Sequence, residues 1–90
     1  MIARTPRIVN IPVGAAVNIR DLTKSPVTFA NYYYESGAGT VEIGKSAAMA
    51  AGQGFPVQPD QTYTDRDQSR ERFMIATGAP VNVIVEEFEA

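Results

Sequence analysis

The side chains that most often do chemistry are missing from this chain or poorly spaced for it. Histidine, cysteine and tryptophan are absent from all 90 residues. Acid–base or nucleophilic work would therefore fall to carboxylates, lysine, serine or tyrosine. A working general acid needs a carboxyl in an apolar setting. Most acids here sit beside other charges, and Glu42, alternating outward between Val41 and Ile43, reads as solvated. Gly39 followed by Gly44-Lys45-Ser46 has the tail of a phosphate loop, but no long helix follows to aim amides at a phosphate. Asp65-Arg66-Asp67-Gln68-Ser69 opens like a calcium loop with oxygens at alternate positions. Arg70 then stands where that loop turns on glycine, and Ala76 where it needs a bidentate glutamate. Without cysteine there is no disulfide, and zinc lacks its usual ligands. The sequence predicts no enzyme, no cofactor and no metal site.

Binding chemistry has better candidates. Tyr32-Tyr33-Tyr34 is the one aromatic cluster, and strand alternation sets Tyr32 and Tyr34 on one face with Tyr33 on the other. Tyrosine offers a rigid ring with a polar tip, suited to stacking on a sugar or anchoring a protein. The stretch Met1–Val13 reads as an extended arm, because Pro6 and Pro12 each force an extended residue before them and fit no central strand. Its Ile2, Ile8, Val9 and Ile11 cannot be buried by the arm alone, and Arg4 and Arg7 make it basic. These residues, with Tyr32 and Tyr34, are the candidate partner-binding set.

The elements that would position them are strands. Val81, Val83 and Val85 fall on one face of an extended segment, the period-two signature of a strand with one side in a core. Similar alternation marks 16–22, 27–34 and 40–45, with Val41 and Ile43 inward, and shorter runs at 55–57, 61–64 and 73–76. The glycine-rich 35–39 connector reads as a hairpin turn, Ser46–Gly54 as a helical turn or loop ended by Gly52, and polar 65–72 as an exposed loop or short helical turn. About seven short strands separated by turn residues predict an all-β fold, a small β-sandwich or barrel-like Greek-key domain. The division expected is an arm over 1–13 and a single sandwich domain over 14–90.

A weak internal repeat supports that plan. Shifting the chain by 44 residues sets Ile11-Pro12-Val13 on Phe55-Pro56-Val57, Asp21 on Asp65 and Phe29 on Phe73; with short gaps after that, Gly37-Ala38 meets Gly78-Ala79 and Val41 meets Val81. Two similar halves facing each other across one core would give this pattern.

Charge is nearly balanced, with 8 basic and 10 acidic residues for a net −2. No basic stripe is present to track a phosphate backbone, so nucleic acid is not expected as a partner. No apolar run approaches a membrane span, and no apolar signal core follows Met1-Ile2-Ala3-Arg4, so the chain is expected to remain in the cytoplasm that makes it. The basic first quarter (Arg4, Arg7, Arg20, Lys24) and the acidic end (Glu86, Glu87, Glu89) suggest head-to-tail matching between neighbouring copies. A domain this small buries only about 60% of its unfolded surface, so docking on other subunits is the natural reinforcement.

From residue 27 to 88 a series of short motifs occurs in order. Val41-Glu42-Ile43-Gly44 comes first, then Gly54-Phe55-Pro56-Val57-Gln58-Pro59, then Tyr63 and Arg72-Phe73-Met74-Ile75-Ala76. Pro80-Val81-Asn82-Val83-Ile84-Val85-Glu86 closes it. This resembles the small β-sandwich virion proteins of tailed bacteriophages that decorate or cement a capsid or form head and tail appendages. Asp60 departs from the glycine usual in that pattern. The resemblance implies a structural protein of the virion, made in the host bacterial cytoplasm. Its partners would be the major capsid protein, other virion subunits or copies of itself. The alternative it leaves open is a tail, fibre or head-fibre module that recognises a receptor or carbohydrate.

Overall fold

The computed structural model describes residues 2–20, 27–66 and 71–89. Among them the chain is all β, in two antiparallel sheets with no helix. In chain order the strands are β1 (Ile2–Ala3), β2 (Arg7–Ile11), β3 (Val17–Asn18), β4 (Phe29–Gly37), β5 (Thr40–Gly44), β6 (Phe55–Val57), β7 (Thr62–Asp65), β8 (Phe73–Thr77) and β9 (Val81–Glu89). One sheet runs β1-β9-β4-β7, with β2 also on β9, beside β1; the other runs β3-β8-β5-β6. The seven strands expected beyond residue 13 are β3–β9.

Alternation fixes what lies between the sheets. Val81, Val83 and Val85 of β9 point inward together with Ala30, Tyr32 and Tyr34 of β4, and meet Val41 and Ile43 of β5 and Met74 and Ala76 of β8. Ile11, Ile19, Val27 and Val57 complete this buried cluster, and Val9, Val17 and Tyr63 pack against it. Opposite residues on the outer face of the first sheet include Phe29 and Phe88, whose rings stack at 4.4 Å with the Arg66 guanidinium 5.8 Å from the Phe29 ring.

The repeat read from sequence has a structural counterpart. Advancing each strand by four places carries β2 to β6, β3 to β7, β4 to β8 and β5 to β9. Applied to the order β2-β9-β4-β7, the same operation gives β6-β5-β8-β3, which is the second sheet. Each half of the chain thus supplies two strands to either sheet. The Gly37-Ala38 and Gly78-Ala79 pairs sit at equivalent crossings, β4 to β5 and β8 to β9. These crossings press together: a Cβ on Gly39 would lie 2.0 Å from the Ala79 carbonyl oxygen, and one on Gly37 2.6 Å from that of Pro80. Only glycine permits this approach.

Two expectations change here. The 27–45 segment is not a hairpin, because β4 pairs with β7 and β9 while β5 pairs with β6 and β8. Its glycines serve a crossing between sheets instead. Nor is the N-terminal segment a separate arm: it is extended, but β1 and β2 lie in antiparallel register along β9 from Ile2 opposite Glu89 to Ile11 opposite Val81. Pro6 falls between β1 and β2, and Pro12 just after β2, where the missing donors do no harm. The chain then passes to the other sheet, with Val13 bridged to Ala76. The boundary expected at residue 13 lies inside one continuous body.

Candidate functional site

The candidate partner-binding residues separate by what β2 and β4 do with them. Ile8 faces out of the sandwich at 65% exposure, opposite outward Ile84 of β9, which in turn faces Tyr33 of β4. Ile2 is similarly exposed. Val9 and Ile11, one step out of phase with Ile8, turn inward, and Ile11 is fully buried. Both hold the strand to the core and offer nothing to a partner.

Arg4 and Arg7 are spoken for within the chain. Arg4 Nη1 is 3.4 Å from Glu87 Oε1, and its Nε is 3.3 Å from Glu89 Oε2. Arg7 Nη2 donates to Glu87 Oε1 at 3.0 Å and to the Ile19 carbonyl. The register explains how both reach one carboxylate. In β2 the paired residue numbers sum to 92, and in β1 to 91, so one extra residue bulges at Thr5-Pro6. That bulge flips the parity and turns Arg4 inward, beside Glu87, although it is an even residue like outward Ile8. The electrostatic matching expected between copies is thereby realised inside one molecule. Glu87 is 3% exposed, and its inward position continues the Val81-Val83-Val85 alternation. The sequence held that signal: an acid on the core face of a strand demands a cation.

Tyr32 and Tyr34 are core residues, at 0% and 5% exposure. They share one face as the alternation predicts, but that face is the core, which the small Ala30 beside them on β4 does not mark. Tyr32 stacks near Tyr63, with ring centroids 6.4 Å apart, and its hydroxyl accepts from Arg20 Nε at 3.2 Å. Burial pushes the Tyr32 hydroxyl up to about 12 against the opposing pull of Arg20. The Tyr34 hydroxyl donates toward the carbonyls of Gly37 and Gly39 at the sheet crossing. Neither ring face is open to a sugar. Tyr33 is the outward member, its hydroxyl 3.4 Å from Asp60 Oδ1. Asp60 itself has φ of 61°, the left-handed conformation that glycine adopts without cost.

A second buried ionic group lies where an exposed loop was expected. Asp65 ends β7 on its inward side and is 3% exposed. Arg72 grips it through Nε and Nη2, the latter at 3.0 Å, and Arg20 Nη2 adds a bond of 3.1 Å. Bidentate geometry of this kind is the strong form of an ion pair. Of the expected loop, Arg66 and Glu71 are exposed and residues 67–70 lie outside the described residues, as does Asp21 of the repeat.

Glu42 is not simply solvated either. Its carboxylate accepts from the Gly52 amide at 2.9 Å and from the Gly54 amide at 2.9 Å, clasping the 45–54 segment. That segment is two successive turns, not a helix, closed by Met49 N to Ser46 O and Gln53 N to Ala50 O. Met49 is buried over Gly44 and Gly54, where any Cβ would meet its sulfur within 2.8 Å. Between this clasp and β6 lies a cleft of about 330 Å³ lined by Thr40, Glu42, Pro56, Gln58 and Pro59.

Among the described residues no three acidic side chains gather closely enough to hold a metal ion. Compared with known proteins, the chain matches no family model, no curated protein and no solved structure. What the geometry defines is a small sandwich with one edge strand, β2, seated by buried charge and projecting Ile8 into solvent, with Ile2 exposed on β1 beside it.

Proposed function

We propose that this chain is a structural subunit of a tailed-phage virion that decorates or cements the capsid by docking on neighbouring subunits. One observation carries the reading: Ile8 stands exposed on a strand that is locked in place by Arg4, Arg7 and Glu87. A large aliphatic group on a rigid strand costs little entropy when a partner covers it. Around it, Ile84, Tyr33 and the Phe29–Phe88 stack extend the same outer face. The resemblance of residues 27–88 to small virion sandwiches supports the choice of assembly. Docking then occurs along a seated strand, not through a free arm as the sequence suggested. The carbohydrate-binding alternative loses its residues, because Tyr32 and Tyr34 are interior.

Copy number tests the reading. Virions purified from the phage that encodes the chain should carry it in hundreds of copies by stained gel, and Ile8→Lys should empty most of those positions. A chain absent from purified particles, or full occupancy by the Ile8→Lys variant, would sink it.

A further inference from the structure

We propose that the free side of β2 is a self-pairing edge, at which two copies join antiparallel through Arg7–Ile11 about a two-fold axis at Val9. The inference rests on the docking role just given to this strand, and it names a partner: a second copy of this chain. β9 occupies one side of β2, and among the described residues no strand occupies the other. In an antiparallel ladder, alternate residues of such an edge direct both N–H and C=O away from their neighbour. Those groups form a ready template for another strand.

The usual defences against pairing are absent on β2. Its outward side chains are Ile8 and Asn10, neither of them charged. Its one charged residue, Arg7, turns back to Glu87 and the Ile19 carbonyl. No proline falls between residues 7 and 11. The other edge of the same sheet shares one feature and lacks another: Thr64 of β7 donates to Asn31 at 2.7 Å as Asn10 of β2 donates to Asn82 at 3.0 Å, but β7 projects only threonines outward, with no apolar side chain like Ile8.

The prolines select the partner and the register. Pro6 and Pro12 stand three residues either side of Val9. An antiparallel two-fold centred on Val9 puts Pro6 opposite Pro12 of the second copy, so both missing donors fall just outside the ladder. Centring on Ile8 would set Pro6 against Asn10, and centring on Asn10 would set Pro12 against Ile8, each costing a ladder bond. Centring between residues would pair inward with outward side chains. The Val9 register keeps faces matched: Val9 meets Val9 on the core side, and Ile8 meets Asn10 of the second copy outside. The segment is thus self-complementary in hydrogen bonding, face and charge, which a strand from an unrelated protein would match only by chance.

Sedimentation velocity across a wide concentration range tests this. The wild-type chain should reach a dimer as concentration rises. The double variant I8K/N10K sets like charges directly opposite each other twice and should remain monomeric with an unchanged circular dichroism spectrum. Mixed with I8E/N10E, it should recover the dimer. Because the chain has no cysteine, V9C introduces a single thiol that should cross-link to its own mate on oxidation, whereas I8C, whose mate faces Asn10, should not. A wild-type chain monomeric at every concentration, or a dimer that survives I8K/N10K, overturns the self-pairing. A monomer that still loads particles in an Ile8-dependent manner does so too, while leaving the virion reading intact. A dimer that never enters particles overturns the virion reading alone.

Discussion

β2 and β6 hold the same place in the two sheets, each an edge beside the strand that closes the other half of the repeat, yet they are finished in opposite ways. β6 has three residues with Pro56 in the middle, so one ladder donor is gone at its centre. Pro59 and the left-handed Asp60 turn the chain away directly afterward. β2 has five residues, and its prolines are displaced to the flanks. Both edges are held by a carboxylate from the neighbouring strand, but by different chemistry. Glu87 on β9, itself buried, holds the β1–β2 edge through buried Arg4 and part-exposed Arg7, whereas Glu42 on β5 holds the approach to β6 through glycine amides. The difference shows how one topology yields a closed edge and an open one: proline placement decides whether a further strand can pair, and the anchor decides how rigid the edge is.

That contrast can be broken at its anchors. Glu87→Gln leaves two arginines beside a neutral amide, and removing one partner of a buried pair is costly. We expect a loss of about 3 kcal/mol by urea denaturation, with amide exchange rising first over 2–11. Exchange that rises uniformly would show that β2 is not separately anchored. Next in size is the alkaline limit. Tyr32 has its hydroxyl raised to about 12 in the folded chain and about 10 when unfolded. Between those values the unfolded state alone releases the proton, so stability falls as pH rises from 10 and is flat below it. The loss should approach about 2 kcal/mol near pH 12. Tyr32→Phe should remove this slope; a slope that persists in the variant would assign it elsewhere. Glu42→Gln should cost least, about 1 kcal/mol, since the amide oxygen keeps one acceptor for Gly52 or Gly54. Its effect should be faster exchange over 46–54 with no change at β2.

Much of the sandwich was legible because it follows from period two. The β9 valines, the short strands 55–57 and 73–76, and the repeat of Ile11-Pro12-Val13 at Phe55-Pro56-Val57 all mark real elements or equivalent places. What stayed hidden depends on pairing between distant residues. Nothing local in Arg7–Ile11 shows that β9, far along the chain, will cover one side of it. Nothing local in Gly37–Gly39 distinguishes a hairpin from a crossing, since glycine serves both. Of the candidate residues Ile2 and Ile8 are exposed, while Val9 and Ile11 turn to the core, and their phase against Ile8 already contained that division. Arg4 escaped any phase argument, because the bulge at Thr5-Pro6 shifts it by one. Glu87 was within reach, on the core face by continuation of Val85, and it implied the arginines that now hold the strand.

The central claim is that β2 keeps one side for its own sheet and the other for a second copy. Residue-resolved amide exchange over 7–11, measured in dilute and in concentrated solution, tests it most directly. The account predicts that amides directed toward β9 are slow at both concentrations, and that the alternate, outward ones pass from fast to slow as concentration rises. Outward amides that exchange equally fast at every concentration would contradict it.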